Sequence, residues 1–103
     1  MTDANDWKPE ARSALRAYPK AKQKGDRAIV GAVERALKAQ RRYYNAEARL
    51  RMIDMVYFRR THTLYGAAVA VEYSIETIKK WNLELLSAVY TALQYEYEKG
   101  PGG

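Results

Sequence analysis

The side chains between Thr63 and Trp81 have the types and spacing to contact nucleic acid rather than to catalyse a reaction. Glu76 is able to accept a hydrogen bond from a cytosine amino group, and Ile75 is able to touch a thymine methyl group. Lys79 and Lys80 suit phosphate. The residues of this segment from which we expect DNA contacts are Thr63, Ser74, Ile75, Glu76, Thr77, Lys79 and Lys80.

The chain lacks the residue combinations that catalysis and metal binding require. It contains no cysteine, which excludes disulfides, thiolate metal sites and cysteine nucleophiles. His62 is its single histidine, so a metal site is not expected. Glu47 and Asp54 are two helical turns apart and are expected to balance neighbouring arginines. Without a Gly-rich phosphate loop or a nucleophile elbow, we predict neither an enzyme nor a bound cofactor.

Length and composition favour one small domain. The chain has 103 residues, of which 48% are hydrophobic, and this fraction is sufficient for a globular core. The first six residues are polar and acidic, unlike a signal peptide. No apolar run approaches the roughly 20 residues that cross a bilayer. We therefore expect a soluble cytoplasmic protein that does not enter a membrane.

The positive charge is concentrated in the first part of the chain. The net charge is +6, but residues 1–62 hold 15 Lys/Arg and 7 Asp/Glu, whereas residues 63–103 hold 3 and 5. A polyanion-binding surface must therefore take most of its charge from residues before position 63. The arginines that we expect to supply it are Arg41, Arg42, Arg49, Arg51, Arg59 and Arg60. Taken singly, each of them fits an ordinary solvated helix face better than a DNA contact, and it is as a group that they are candidates for DNA contact.

Hydrophobic periodicity predicts an all-α domain of four to five helices over residues 1–99, with a flexible tail at 100–103. A first helix begins near Asp6, has Pro9 in its first turn and ends at Pro19. Residues 20–25 form a basic linker. Basic helices occupy residues 26–60, with Asp26 and Asn45 as N-caps. We expect two helices in this region, and the second ends at Phe58. They are either separate helices or one continuous helix.

Residues 59–62 form a polar connection, and residues 63–81 meet the requirements of a helix-turn-helix. Thr63 caps the first helix, the small Ala68 lies midway along it, and Val71 closes it. Tyr73 lies in the turn and Ser74 caps the second helix. Ile78 and Trp81 then face inward, and residues 82–98 extend the same helix. Where a glycine is usual, this turn has Glu72; a positive φ there costs about 1 kcal/mol, so a longer or differently shaped turn is an alternative.

The pattern of Leu64, Ala68, Val71, Tyr73, Ser74, Thr77, Ile78 and Trp81 resembles the C-terminal helix-turn-helix of sigma factors. The wider stretch from Val33 to Leu93, with its Tyr57-Phe58 pair, is similar to phage transcriptional regulators of the ArpU/RinA type. The resemblance implies a sigma-like helix-turn-helix that places its second helix in the major groove of double-stranded DNA. It also implies an activator of phage late genes that acts beside RNA polymerase. Glu72, Gly66 and the low charge of the second helix depart from the family pattern.

Two other functions fit the same sequence. A small-terminase-like DNA-packaging component also joins a helix-turn-helix to an oligomerising helical part. An adaptor that binds RNA polymerase or another regulator without touching DNA agrees with the negative charge of residues 63–103. The last helix is rich in tyrosine and leucine: Leu86, Tyr90, Leu93, Tyr95 and Tyr97. These residues either form a homodimer surface or cover the first two helices.

Overall fold

The computed structural model describes residues 7–99, in which all of the regular structure is helical. The helices are α1 Trp7–Lys24, α2 Arg27–Gln40, α3 Ala46–Ile53, α4 Leu64–Val71 and α5 Ile75–Lys99. The predicted all-α domain with a long last helix is confirmed. The expected N-cap at Asp6 and the expected flexible tail at 100–103 lie outside the described residues.

Helix α1 continues past Pro19, so the prediction that this proline ends the helix is wrong. Pro19 has no N–H to offer the carbonyl of Leu15, which costs an interior helix position about 3 kcal/mol. Burial of Leu15 before the proline and of Ala21 after it offsets this loss. The predicted basic linker at residues 20–25 is therefore also wrong, because all but its last residue belong to the helix.

Two residues, Gly25 and Asp26, separate α1 from α2. Gly25 adopts φ 77°, a left-handed conformation that glycine reaches without a steric penalty. The N–H of Asp26 then donates to the carbonyl of Ala21 at 2.9 Å, which closes the end of α1. The carboxylate of Asp26 accepts from the N–H of Ile29 at 3.3 Å. Asp26 is thus the N-cap of α2, as predicted.

Helices α2 and α3 are separate, which settles the question that the sequence left open. Turns at residues 41–45 divide them. Asn45 lies at the predicted N-cap position of α3, but its side chain makes no capping bond. Instead its Oδ1 accepts from the Nε of Arg49 at 2.8 Å. The charged donor thus occupies the oxygen that would otherwise cap the helix.

The end of α3 widens into a π-helical turn at Asp54–Phe58. The N–H of Arg59 donates to the carbonyl of Asp54 at 2.8 Å, a spacing of five residues instead of the four of an α-helix. Asp54 also pairs with Arg59 through its side chain at 2.7 Å, as expected for a carboxylate among arginines. The predicted end of this helix at Phe58 is confirmed.

Helix α5 forms the centre of the domain and packs against α1, α2 and α4. The apolar stripe predicted for it is buried along its whole length: Ile78, Trp81, Leu85, Val89 and Leu93. Leu15 of α1, Val33 of α2 and Met52 of α3 pack into the same core. One long helix therefore supports the others.

Helix α4 is uncharged but has only 8 residues, and the 25-residue α5 carries charged side chains toward both of its ends. Among residues 7–99 no helix combines the length and the apolarity that a membrane-spanning segment needs.

Candidate nucleic-acid interface

The turn between α4 and α5 is short because Glu72 itself adopts the left-handed conformation. Its φ is 62° and its ψ is 43°. The N–H of Glu72 donates to the carbonyl of Val69 at 3.2 Å, and the N–H of Tyr73 donates to that of Ala68 at 3.1 Å. These two bonds form a Schellman motif, which glycine usually makes. The turn has three residues, so the alternative of a longer turn is wrong.

Both helices of this pair have the side-chain caps that were predicted. The Thr63 hydroxyl accepts from the N–H of Gly66 at 3.1 Å. The Ser74 hydroxyl accepts from the N–H of Thr77 at 3.2 Å and donates to the Thr77 hydroxyl at 2.9 Å. Such caps satisfy one of the free amides in the first turn of each helix. The hydroxyls of Thr63, Ser74 and Thr77 thus have internal partners.

The inner side of the pair is closely packed around small residues. Ala67 is fully buried and Ala68 is 5% exposed, so the start of α5 is able to approach α4 closely. Ile78 and Trp81 are buried behind them, as predicted. The Tyr73 ring lies 4.6 Å from the Trp81 ring, centroid to centroid. These contacts fix the direction in which α5 leaves the turn.

The outer side of α5 carries the predicted contact residues, and most of them are free to reach a ligand. Glu76, Lys79 and Lys80 are exposed. Ile75 is half-buried because it packs against the core, so only part of its side chain faces solvent. Leu83, on the same side and one turn further along, is exposed although the sequence did not suggest it.

Tyr65 extends this surface onto α4. Its ring is 61% exposed, and the Nζ of Lys79 lies 5.5 Å from the ring centroid. The phenol and the ammonium group are therefore neighbours on the outer surface of the pair. The sequence analysis did not select Tyr65. The signal that could have found it is its position two residues after the Thr63 cap, from which helical periodicity predicts the side of α4 on which it lies.

Arg49 is a structural arginine, so the prediction that it supplies surface charge is wrong. It is 5% exposed. Its Nη1 lies 2.9 Å from Glu84 Oε1 and 3.1 Å from Gln40 Oε1. The guanidinium carbon lies 3.6 Å from the centroid of the Tyr43 ring and 4.9 Å from that of Trp81. Together with Asn45, which accepts from the Nε of Arg49 at 2.8 Å, these partners hold the guanidinium inside the fold.

The other arginines predicted to supply charge are exposed, and some of them act on neighbours within the domain. Arg41, Arg42, Arg51, Arg59 and Arg60 all reach solvent. Burial raises the pKa of the Tyr18 phenol on α1, and the charge of Arg41, at the C-cap of α2, opposes that shift. Arg59 is paired with Asp54, and Arg60 stands in a left-handed conformation in the connection before α4.

A polar cluster that the sequence did not reveal joins α1, the π-helical turn and α5. The Tyr57 hydroxyl donates to Oδ1 of Asn82, and both residues are buried. Arg12 of α1 reaches the same hydroxyl, and Arg16 lies close enough to act on it. Burial raises the pKa of the Tyr57 hydroxyl above 10, although the two arginines oppose this effect. The cluster places cations of α1 beside the second turn of α5.

The aromatic and leucine residues of α5 divide between different sides of the helix. Leu86 and Leu93 are buried in the core. The Tyr90 ring packs 5.7 Å from that of Trp7 on α1, and the Arg35 guanidinium of α2 lies 4.3 Å from the Tyr95 ring. Tyr90 therefore contributes to covering α1, whereas Tyr95 lies beside α2 and is 48% exposed, and the homodimer surface stays a prediction. Tyr97 is 56% exposed.

His62 has the position expected for a connecting histidine. It is exposed, and its Nδ1 lies 2.9 Å from the Thr61 hydroxyl. No group of three or more His, Cys, Asp or Glu residues within the described part of the chain is arranged to hold a metal ion.

Comparisons with protein-family models, with curated proteins and with solved structures gave no match for this chain.

Proposed function

We propose that this chain is a sequence-specific DNA-binding protein that regulates transcription, with residues 63–81 as its reading unit. The observation that carries the proposal is the three-residue turn at Glu72, which holds α5 against α4 and leaves Glu76, Lys79 and Lys80 exposed together. An α-helix presented in this way fits the major groove of B-DNA.

Each exposed residue of α5 has a defined role in this proposal. Glu76 accepts a hydrogen bond from a cytosine amino group, and the accessible part of Ile75 contacts a thymine methyl. Lys79 and Lys80 bind phosphate, and the amides at the start of α4, next to Thr63, add a further phosphate contact. The finer proposal is an activator of the phage late-gene type that acts beside RNA polymerase in the bacterial cytoplasm.

Binding to duplex DNA across a salt series tests the proposal. Fluorescence anisotropy with random duplexes, and with duplexes selected from a random pool, should show an affinity that falls steeply as salt rises. The double variant Lys79→Ala/Lys80→Ala should bind less tightly and with a shallower salt dependence. Lys24→Ala/Lys38→Ala removes two exposed cations from α1 and α2 and is the matched control. If wild-type binding is absent, or if the control loses as much affinity as the double variant, the proposal is wrong.

An adaptor that binds a protein is the second candidate, because residues 63–103 carry more acidic than basic side chains. Such an adaptor would show no salt-dependent binding to duplex DNA. It would instead retain purified RNA polymerase, and an Ile75→Asp/Leu83→Asp variant on the exposed side of α5 would lose that retention.

A further inference from the structure

Helix α1 packs against α5, and the residues that meet show that the two helices run antiparallel. Trp7 at the start of α1 contacts Tyr90, about two turns further along α5 than Asn82. Five residues later, Arg12 reaches the Tyr57 hydroxyl, which donates to Asn82 itself. The next turn of α1 therefore runs toward the turn of α5 that carries Lys79.

The part of α1 that runs toward this turn is basic and has no acidic residue to balance it. Arg12 and Arg16 are four residues apart and so share one side of the helix. Arg12 is half-buried against the Tyr57 cluster, whereas Arg16 is exposed. Between Ala11 and Gly25 the chain contains five Lys/Arg and no Asp or Glu. Of the two arginines, Arg16 is thus the one that is free to bind a ligand.

The dimensions of DNA place phosphates next to a helix in this position. The major groove is about 12 Å wide, close to the diameter of an α-helix with its side chains. When α5 fills the groove, a helix packed along its flank comes against the sugar-phosphate backbone at the groove edge. An arginine fork binds two phosphate oxygens at once.

We propose that Arg16, on the exposed edge of α1, binds a backbone phosphate of duplex DNA at the edge of the groove that α5 enters. This inference rests on the proposed function and adds a phosphate site on a helix outside residues 63–81. The contact carries no base information, because it is made to the backbone. It supplies positive charge that residues 63–103 lack.

Arg16→Ala tests the contact, with Lys38→Ala as the matched loss of one exposed cation elsewhere. Arg16→Ala should weaken binding roughly threefold to tenfold at low salt and should lower the slope of log affinity against log salt by about 0.9. Random and selected duplexes should lose affinity equally. Arg16→Lys should keep most of the slope because it keeps the charge. Thermal unfolding of each variant confirms that the fold is retained.

The possible outcomes separate this inference from the proposed function. If wild-type protein binds DNA and responds to Lys79→Ala/Lys80→Ala, but Arg16→Ala behaves like Lys38→Ala, the α1 contact is wrong and the proposed function stands. A loss confined to selected duplexes also overturns it, since a backbone contact affects every sequence. If wild-type protein does not bind duplex DNA, both proposals fail.

Discussion

The guanidinium of Arg49 and the carboxylate of Glu84 lie 2.9 Å apart and join α3 to α5, 35 residues later in the chain. Arg49 also bonds to Gln40 at the end of α2, so one side chain connects three helices. Glu84 lies one helical turn after Lys80 on α5. Arg49 therefore helps to fix the orientation of the part of α5 that exposes Glu76, Lys79 and Lys80.

Arg49→Ala should lower the free energy of unfolding by about 2–3 kcal/mol, because Gln40 and Glu84 lose a charged donor and two rings lose their stacking partner. The expected fall in Tm is about 4–8 °C for each kcal/mol. Arg51→Ala, an exposed arginine on the same helix, should change stability by less than about 0.5 kcal/mol. Urea unfolding measures both; equal effects would contradict the structural role of Arg49.

Glu72→Gly should stabilise the protein by about 1 kcal/mol. The left-handed conformation costs a residue with a Cβ about 1–2 kcal/mol, and glycine removes that cost. The greater conformational freedom of glycine in the unfolded chain cancels only part of this gain in stability. Lys38→Gly, at an exposed helical position, should instead destabilise by about 1 kcal/mol. Calorimetry on both variants checks the sign, and a destabilised Glu72→Gly would mean that the Glu72 side chain contributes more than its backbone strain costs.

Stability should fall above pH 10, in part because of Tyr57. Burial raises the pKa of its hydroxyl in the folded protein, so the unfolded chain ionises first as the pH rises. The contribution of Tyr57 is fully present below pH 10 and is lost as the pH climbs through the raised pKa. Tyr57→Phe should be less stable than wild type at pH 7, because Asn82 loses its donor. Its free energy of unfolding should fall less than that of wild type between pH 7 and pH 11.

Tyr44→Phe is the control for that experiment, since the Tyr44 ring is 96% exposed. Its stability should follow the wild-type curve from pH 7 to pH 11. If Tyr57→Phe also follows that curve, the buried phenol does not govern the alkaline loss.

Gly31→Ala should stabilise α2 by up to about 1 kcal/mol, the helix-propensity gain of alanine. The added Cβ would lie 2.9 Å from Glu96 Oε2, so the carboxylate must move aside. In a Glu96→Ala background the substitution should give the full gain. A smaller gain in the presence of Glu96 measures the cost of displacing it; identical gains in the two backgrounds would show that the contact has no energetic effect.

The sequence predicted the features that depend on near neighbours. The caps at Asp26, Thr63 and Ser74 each bond to an amide three residues away, so a short stretch of sequence contains all that determines them. The buried stripe of α5 follows from helical periodicity in the same way. These are also the features that define the candidate DNA-reading unit.

Features that depend on distant partners escaped prediction. Pro19 remains inside α1 because residues on both sides of it are buried by other helices. Arg49 is indistinguishable from a surface arginine until Glu84 is brought beside it. The neighbourhood of Arg12, Tyr57 and Asn82 likewise exists only after three separate segments have packed together.

The π-helical turn at Asp54–Phe58 has a consequence for chain length. A turn of this kind accommodates one more residue than an α-helical turn without interrupting the helix. Deletion of Val56 would turn the five-residue spacing between Asp54 and Arg59 into the four-residue spacing of an α-helix, so the residues after the turn would keep their phase. The residues inside the turn would shift, and Tyr57 would move relative to Asn82. A one-residue deletion in this segment should therefore disturb the Tyr57–Asn82 bond while leaving the path of the chain toward Thr63 largely unchanged.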